Sequence, residues 1–138
     1  MAVRIVRLGS GRAVGEGTRL GTVRRPPRGV PRKDFARLDW YDVWFPLLAP
    51  AVSTMKLGLA SQSPKPGGER AADRHWAAFV RRYRAEMRAP AARQALDALA
   101  ALSRHANFSV GCYCEDESRC HRSLLRALLA ERGANIAP

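Results

Sequence analysis

The sequence predicts a single α/β domain over residues 1–138, built on a small, partly parallel sheet flanked by helices. Three observations predict this class. Short stretches near the N-terminus alternate apolar and basic residues, which is the period of a strand. Two later stretches repeat apolar residues at spacings of three and four, which is the period of an amphipathic helix. A short apolar run then lies between helical patterns, and this order of elements is typical of α/β proteins.

The N-terminal part of the chain predicts two strands. Residues 3–8, VRIVRL, alternate apolar and basic side chains and predict the first strand. The glycine-rich residues 9–17 predict a loop or a hairpin connection. Residues 19–25, RLGTVRR, predict a second strand, which we expect to end at Pro26 and Pro27 because proline cannot donate to a central ladder.

The middle of the chain predicts mostly irregular structure. Residues 26–40 mix turn formers with charges and predict an ordered loop. Prolines interrupt residues 41–50, which argues against a long helix there. A short helix is expected around residues 51–60. Residues 61–70, SQSPKPGGER, have the Ser, Pro and Gly content of a flexible connection.

Two amphipathic helices are predicted next. In ADRHWAAFVRRYRAEM, Asp73 is a candidate N-cap, and the apolar side chains fall three or four apart: Trp76, Phe79, Val80, Tyr83 and Met87. Residues 91–104 predict a further helix with Arg93 and Asp97 as an i, i+4 pair on its surface. Its buried seam consists of three leucines at helical spacing: Leu96, Leu99 and Leu102.

The last two predicted elements are a core strand and a helix. Residues 107–112, NFSVGC, predict a short buried strand. Residues 119–132 predict the final helix, and Gly133 is a natural C-terminal cap. The apolar face of this helix consists of leucines at helical spacing: Leu124, Leu125, Leu128 and Leu129.

The chain is strongly basic, since 24 Lys and Arg against 12 Asp and Glu give a formal net charge of +12. Such a charge attracts polyanions, phosphate-bearing ligands or acidic partners, so nucleic acid is one partner class that the sequence allows. Lysine occurs only at Lys33, Lys56 and Lys65, so the excess of arginine also fits a compositional bias. The charge alone therefore does not decide between these interpretations.

The sequence predicts a cytoplasmic protein without membrane contact. The longest uncharged apolar run, between Asp42 and Lys56, is too short for a membrane span and is broken by Pro46 and Pro50. Arginines interrupt the apolar N-terminus, which lacks the continuous core of a signal peptide. Three cysteines, an odd number, fit thiols or metal ligands in a reducing compartment. The sequence leaves the oligomeric state open.

All three cysteines lie in one stretch, CYCEDESRCHR at residues 112–122. On the predicted layout it joins the carboxyl end of a strand to the start of a helix, where open α/β sheets place their ligand sites. Cys112 and Cys114 are two apart and face one side of extended backbone. Cys120 and His121 are expected in the first helical turn, where free N–H groups and the helix dipole stabilise a thiolate or a bound anion.

Three interpretations of this stretch stay open. In the first, zinc is a cofactor held by three thiols and one imidazole: Cys112, Cys114, Cys120 and His121. In the second, Cys114 or Cys120 is a catalytic nucleophile, activated by the helix N-terminus, while an arginine holds an anionic substrate. The four residues between Cys114 and Arg119 do not match the C-x₅-R loop of phosphatases. In the third, Cys112 is a small buried hydrophobe at a strand end.

Arginines near both strand ends are candidates for anion binding, because guanidinium groups match phosphate geometry. They are Arg24, Arg28, Arg119 and Arg122. If the second strand lies beside the last one, the turn after it approaches the cysteine stretch. Further candidates for lining the same pocket are Gly29, Asp39, Trp40 and Glu115. The alternatives are solvated surface for the arginines and core packing for the aromatic side chains.

Several of these motifs together resemble a known family. They are CYCED followed by CHRSLL, the PRG at 27–29, Trp40, and a W-x₂-F-x₃-Y-x₂-E pattern that ends at Glu86. In this combination the chain resembles the domain-of-unknown-function 488 family, including its YeaO-like branch, over roughly residues 3–132. The chain departs from the D-R-L-W-P-R-G of that branch, since it has VRRPPRG.

The resemblance implies mainly a fold, a compact α/β domain, because the activity of the family is not established. The matching positions are Arg24, Arg28, Gly29, Trp40, Cys114, Cys120, His121 and Arg122. From the arginines and the cysteine stretch themselves, we expect a pocket for a small anionic ligand, with Cys114, Cys120 and His121 supplying chemistry or holding a metal. Two alternatives are a non-catalytic nucleic-acid-binding module and a zinc-stabilised structural domain. Whether the protein is an enzyme stays open.

Overall fold

A computed structural model describes residues 1–138 and shows one four-stranded sheet with helices packed against it. The strands are β1 (Val3–Arg7), β2 (Thr18–Gly21), β3 (Val43–Trp44) and β4 (Phe108–Cys112), in the spatial order β1-β4-β2-β3. The helices are α1 (Val52–Gln62), α2 (Glu69–Glu86), α3 (Pro90–Leu102) and α4 (His121–Glu131). Short 3₁₀ turns lie at Arg32–Asp34, Pro46–Leu48 and Glu117–Arg119. The predicted α/β class is confirmed.

The sheet is parallel throughout rather than in part. β4 runs parallel to both β1 and β2, and β3 runs parallel to β2. The hairpin alternative for residues 9–17 is therefore wrong, because β1 and β2 lie on opposite sides of β4 and point the same way. All five residues of β4 are buried, as expected for a central strand covered on both faces. No helix combines the length and the apolar character that a bilayer crossing requires.

The main core lies between the sheet and the helices α2, α3 and α4. Phe108 and Val110 of β4 contribute to it together with Phe79 and Tyr83 of α2 and leucines of α3 and α4. A second, smaller cluster lies beyond the carboxyl end of the sheet. It consists of Leu8, Val23, Tyr41, Cys112 and Cys120. The second cluster supports the loops that follow the strands.

A buried ion pair between Glu16 and Arg19 fixes β2 against its neighbours. Both side chains are almost fully inaccessible, and Arg19 Nε donates to Glu16 Oε2 at 2.8 Å. Ser109 of β4, the register partner of Arg19, donates to the same Oε2 at 2.7 Å. Arg19 Nη1 also donates to the carbonyls of Ser10 and Asp39. One buried guanidinium thus connects β2 to the segments that follow β1 and precede β3.

The pKa of Glu16 follows from this environment. Burial raises it, but hydrogen bonds from Arg19, Ser109 and the amide of Ala13 outweigh burial and lower the pKa from 4.5 to about 2. The carboxylate therefore stays ionised in the folded protein at acidic pH, where it would be protonated in the unfolded chain.

Two strands differ from the predicted ones. The second strand ends at Gly21 rather than at residue 25, because its neighbour β4 ends at Cys112 and leaves no ladder partner beyond Thr22. The short edge strand β3 was not predicted, since its two residues lie among prolines and carry no alternating pattern. The helix expected around residues 51–60 is α1, which extends to Gln62.

The helices differ from the predictions mainly in their surface contacts. α2 begins at Glu69 with Gly68 in the N-cap position, so Asp73 lies within the helix and pairs with Arg119 at 2.6 Å instead of capping it. Asp97 pairs with Arg132 of the neighbouring segment rather than with Arg93.

Leu102, predicted to lie in the buried seam, is exposed instead, at 46% at the end of α3. On the edge strand, Trp44 is also 46% exposed. Gly133 does adopt the left-handed conformation of a C-terminal cap, with φ of 75°.

Replacing Glu16 with Gln should lower the free energy of unfolding by about 3–5 kcal/mol, because it leaves the Arg19 guanidinium buried without a counter-charge. Glu131→Gln is the matched control, since the Arg84–Glu131 pair is solvent-exposed and worth less than about 1 kcal/mol. Denaturant unfolding of both variants checks this. Equal, small effects of the two changes would contradict the structural importance of the buried pair.

The depressed pKa of Glu16 also predicts a pH dependence. Its contribution to stability is fully present above the unfolded pKa near 4.5 and is lost as the pH falls towards the folded pKa of about 2. The difference in free energy of unfolding between the wild type and Glu16→Gln should therefore shrink as the pH falls from 5 to 2. A difference that stays constant over this range would show that the Glu16 carboxylate titrates normally in the folded protein.

Candidate functional site

The candidate site is a cleft of about 640 Å³ at the carboxyl end of the sheet. Residues 23–28 after β2 form one side, and the loop after β4 together with the start of α4 forms another. Apolar side chains from the helices cover part of the wall, among them Met55, Leu59 and Phe79. Parallel α/β sheets bind ligands beyond the carboxyl ends of their strands, so this is the position that the topology favours.

Four sulfur- and nitrogen-bearing side chains converge on one wall of the cleft: Cys112, Cys114, Cys120 and His121. The Sγ atoms of Cys112 and Cys114 are 3.8 Å apart. Cys120 Sγ lies 3.8 Å from Nδ1 of His121. The ligand atoms of Cys112, Cys120 and His121 all lie within 4.8 Å of one another, and all three residues are buried. The structure thus brings together three of the four residues that the sequence grouped as candidate metal ligands, and the fourth, Cys114, lies beside them in contact with Cys112.

The backbone explains how adjacent residues reach the same point. Cys120 has extended backbone angles in the N-cap position of α4, whereas His121 is the first helical residue. The expectation that both lie in the first turn is therefore corrected for Cys120, which lies just before it. The change of backbone direction between them allows both side chains to face the cluster.

Hydrogen bonding fixes the orientation of the His121 ring. Nε2 lies 2.7 Å from the carbonyl oxygen of Thr22, and a carbonyl can only accept. In the neutral imidazole the proton is therefore on Nε2, and Nδ1 presents its lone pair towards Cys120. Thr22 is itself held by a hydrogen bond from its hydroxyl to the carbonyl of Gly111 at 2.8 Å.

The surroundings shift the pKa values of the three thiols in different directions. Hydrogen bonds with Cys114 and Cys120, followed by burial, raise the pKa of Cys112. For Cys114, the hydrogen bond with Cys112 lowers the pKa, but the contact with Cys120 and burial outweigh it and the pKa is raised. Hydrogen bonds from Cys112 and Cys114, together with His121, lower the pKa of Cys120 against the effect of burial. In the absence of any ligand, Cys120 is therefore the favoured thiolate.

The four candidate arginines have different surroundings. Arg28 is exposed on the rim of the cleft, whereas Arg24 also lines it but donates to the carbonyls of Ala49 and Pro50. Arg119 lines the cleft, lies 5.8 Å from the ring centroid of Trp76, and has a buried Nη1 without a partner. Arg122 is buried outside the lining.

Arg122 and its neighbours hold the loop after β4 in place. Its Nη2 donates to the carbonyl of Cys114 and, at 3.5 Å, to that of Glu115, while its Nε is buried without a partner. This guanidinium therefore positions the loop backbone.

The remaining candidates, Gly29, Asp39, Trp40 and Glu115, lie outside the cleft lining. The carboxylate of Asp39 pairs with Arg12, and its carbonyl accepts from Arg19. Trp40 packs edge-on against Tyr113 at a centroid distance of 5.7 Å. Glu115 pairs with Arg7 at 3.4 Å on the surface, and Gly29 lies in an exposed turn with φ of 71°. Their contacts support the loops around the cleft.

Sequence reasoning missed two side chains that contact the cluster. Gln62, the last residue of α1, donates from Nε2 to Cys114 Sγ at 3.3 Å and to the carbonyl of Arg119 at 3.0 Å. Nothing local in SQSPKP distinguishes this residue. The position of Thr22 could have been predicted to lie at the site. Thr22 directly follows β2, and β2 lies beside β4, which ends at Cys112.

Fold and site together define a small, parallel α/β protein with a cleft lined by thiols, an imidazole and arginines at the carboxyl edge of its sheet. A family model described as "Active DUF488-N3 subclade" matches residues 3–133. The chain therefore belongs to the DUF488 family, and the predicted membership is confirmed. No curated protein matches the chain, and no solved structure matches it.

The orientation of His121 predicts a single imidazole tautomer, with the proton on Nε2 and a free lone pair on Nδ1, because Thr22 supplies only an acceptor. Long-range ¹⁵N–¹H spectra of the labelled protein at neutral pH should show this tautomer in full. His75 and His105 are exposed and provide the comparison within the same spectrum. An Nδ1–H tautomer for His121 would contradict the arrangement.

Proposed function

We propose that the protein binds a small anionic molecule in the cleft and that Cys114, Cys120 and His121 form the reactive centre next to it. The observation that carries this proposal is Arg119, which lines the cleft: its Nη2 pairs with Asp73 at 2.6 Å, while its Nη1 is buried without a partner. A buried donor without an acceptor is costly, and an anionic ligand is the partner that best satisfies it. The word "Active" in the description of the matched family model also favours a catalytic cleft.

The composition of the walls narrows the class of ligand. Arg28 provides positive charge at the rim and Arg119 an unpartnered donor, while apolar side chains of the helices provide an apolar surface in the same cleft: Met55, Leu59 and Phe79. A phosphate or carboxylate attached to an apolar or aromatic group matches both properties, whereas inorganic phosphate uses only the first. The cleft volume of about 640 Å³ is in the range of small-molecule sites.

The thiols support a cytoplasmic location. All three cysteines are free, and two of them are buried at the wall of the cleft. An oxidising compartment would favour their conversion to disulfides, whereas a reducing one keeps them available for chemistry or metal binding.

Phenyl phosphate should bind the cleft more tightly than inorganic phosphate, and benzyl alcohol, which lacks the charge, should bind weakly. Arg119→Gln should weaken phenyl phosphate binding by roughly tenfold or more, since a charge-assisted hydrogen bond is worth about 1.5–3 kcal/mol. Calorimetric titration of the wild type and the variant at low ionic strength measures this.

Arg93→Gln is the control for general charge effects, because Arg93 is exposed on α3 and does not line the cleft. Thermal unfolding of both variants verifies that they fold. Equal affinities of the Arg119 and Arg93 variants for phenyl phosphate would show that the anion does not bind at Arg119.

A second candidate function, nucleic-acid binding, is favoured by one specific surface. Arg74, Arg81 and Arg88 recur every seven residues on and just after α2, are exposed, and make no ion pair. A stripe of this kind fits the phosphates of a duplex. If it binds one, replacing all three arginines by Gln should reduce the dependence of duplex affinity on salt, and Arg119→Gln should leave that affinity unchanged. No change in the salt dependence of the triple variant would exclude this surface.

A further inference from the structure

The distances within the cysteine–histidine cluster fit a tetrahedral metal ion. A zinc ion with Zn–S bonds of about 2.3 Å and Zn–N bonds of about 2.0 Å separates two sulfur ligands by about 3.8 Å, and a sulfur and a nitrogen ligand by about 3.5 Å. Cys112 and Cys114 have their sulfurs 3.8 Å apart, and Cys120 Sγ is 3.8 Å from His121 Nδ1. Each of these two distances fits one edge of a coordination tetrahedron. The ligand atoms of Cys112, Cys120 and His121 lie within 4.8 Å of one another, and Cys114, in contact with Cys112, is the candidate for the fourth ligand.

The surroundings of the cluster have the features of an outer shell around a metal. Metal-bound histidines usually donate their second ring nitrogen to a carbonyl or carboxylate, as Nε2 of His121 does to Thr22. Gln62 donates to Cys114 Sγ, which stabilises negative charge on that sulfur. Three thiolates around a divalent ion leave one net negative charge, and the unpartnered Nε of the buried Arg122 lies next to this loop.

The burial of the cluster also favours a metal over three free thiols. Cys112, Cys120 and His121 are almost fully buried, and the contacts of the thiol sulfurs are with another thiol, with the imidazole and with Gln62. Thiolates and imidazole in a tetrahedral arrangement are the ligands that zinc prefers over the hard divalent cations. Each ligating thiol gives up its proton to solvent on binding.

We propose that Cys112, Cys114, Cys120 and His121 bind one zinc ion at the inner wall of the cleft. The inference rests on the proposed function in one respect, since three of the zinc ligands are the residues of its reactive centre. It does not depend on the anion, because the anion is bound by Arg119, which is not a zinc ligand. The ion would join the strand β4, the loop after it and the start of α4, and four protein ligands would close its coordination shell, as in structural zinc sites.

Elemental mass spectrometry of the purified full chain should find about one zinc per chain, and thiol titration of the native protein should find its cysteines unreactive until a strong chelator is added. Cobalt(II) added to the metal-free protein should produce the visible bands of tetrahedral coordination. Its thiolate-to-metal absorption should correspond to three sulfurs. A chain that retains no metal and gives no such absorption overturns the proposal, and a fast-reacting cysteine in that protein would identify a free nucleophile instead.

Cys114→Ser tests the fourth ligand, because Cys114 is only partly buried and its replacement should leave the fold intact. The variant should show two thiolates on cobalt and should bind zinc more weakly by more than the roughly 10–100-fold that loss of an outer-shell partner costs. Gln62→Ala should weaken zinc binding by that outer-shell amount. His105→Gln, an exposed histidine, is the control. Wild-type zinc affinity in Cys114→Ser would overturn the four-ligand set.

The two proposals can fail separately. Phenyl phosphate binding is measured on the zinc-loaded and on the metal-free protein, with Arg119→Gln in parallel. If the Arg119→Gln variant still binds zinc but loses its affinity for phenyl phosphate, both assignments are supported. Zinc binding without any phenyl phosphate affinity in the wild type would overturn the anion site alone.

Discussion

The buried Arg19 guanidinium is the interaction on which the rest of the structure depends. It donates four hydrogen bonds, two to Glu16 and two to carbonyls of two loops, and Glu16 in turn accepts from Ser109 on the central strand. An ion pair without access to water tolerates little displacement, because any unpaired charge inside the protein is costly. The pair therefore fixes β2 in register beside β4.

That register determines which residues meet at the carboxyl edge of the sheet. Gly21 lies beside Gly111, so Thr22 and Cys112 follow at the same level, and the carbonyl of Thr22 meets the ring of His121 although the two residues are 99 positions apart. A shift of β2 by one residue would remove this contact and turn its side chains to the opposite face. The orientation of the cluster is thus a property of strand pairing as much as of the CYCEDESRCHR stretch itself.

The parts of the protein that could be predicted from the sequence are those governed by local pattern. The helices around Phe79 and Leu96 and the core strand ending at Cys112 follow from periodicity, and the grouping of the cysteines with His121 follows from their spacing. The contacts of Gln62 and Asp39 could not be predicted. They depend on where α1 ends beside the loop after β4 and on a left-handed backbone at Asp39 that supplies a carbonyl to Arg19. Such contacts come from tertiary packing, which a single sequence does not encode in any local signal.

The concentration of every cysteine at one wall has a consequence for the chemical vulnerability of the protein. The chain has three cysteines, and all of them line the cleft, so electrophiles and oxidants have no other thiol to react with on the molecule. An alkylating reagent that modifies a cysteine therefore does so at the cleft and competes with whatever occupies it. In a cell under oxidative stress, damage to the thiols and loss of the site would be the same event.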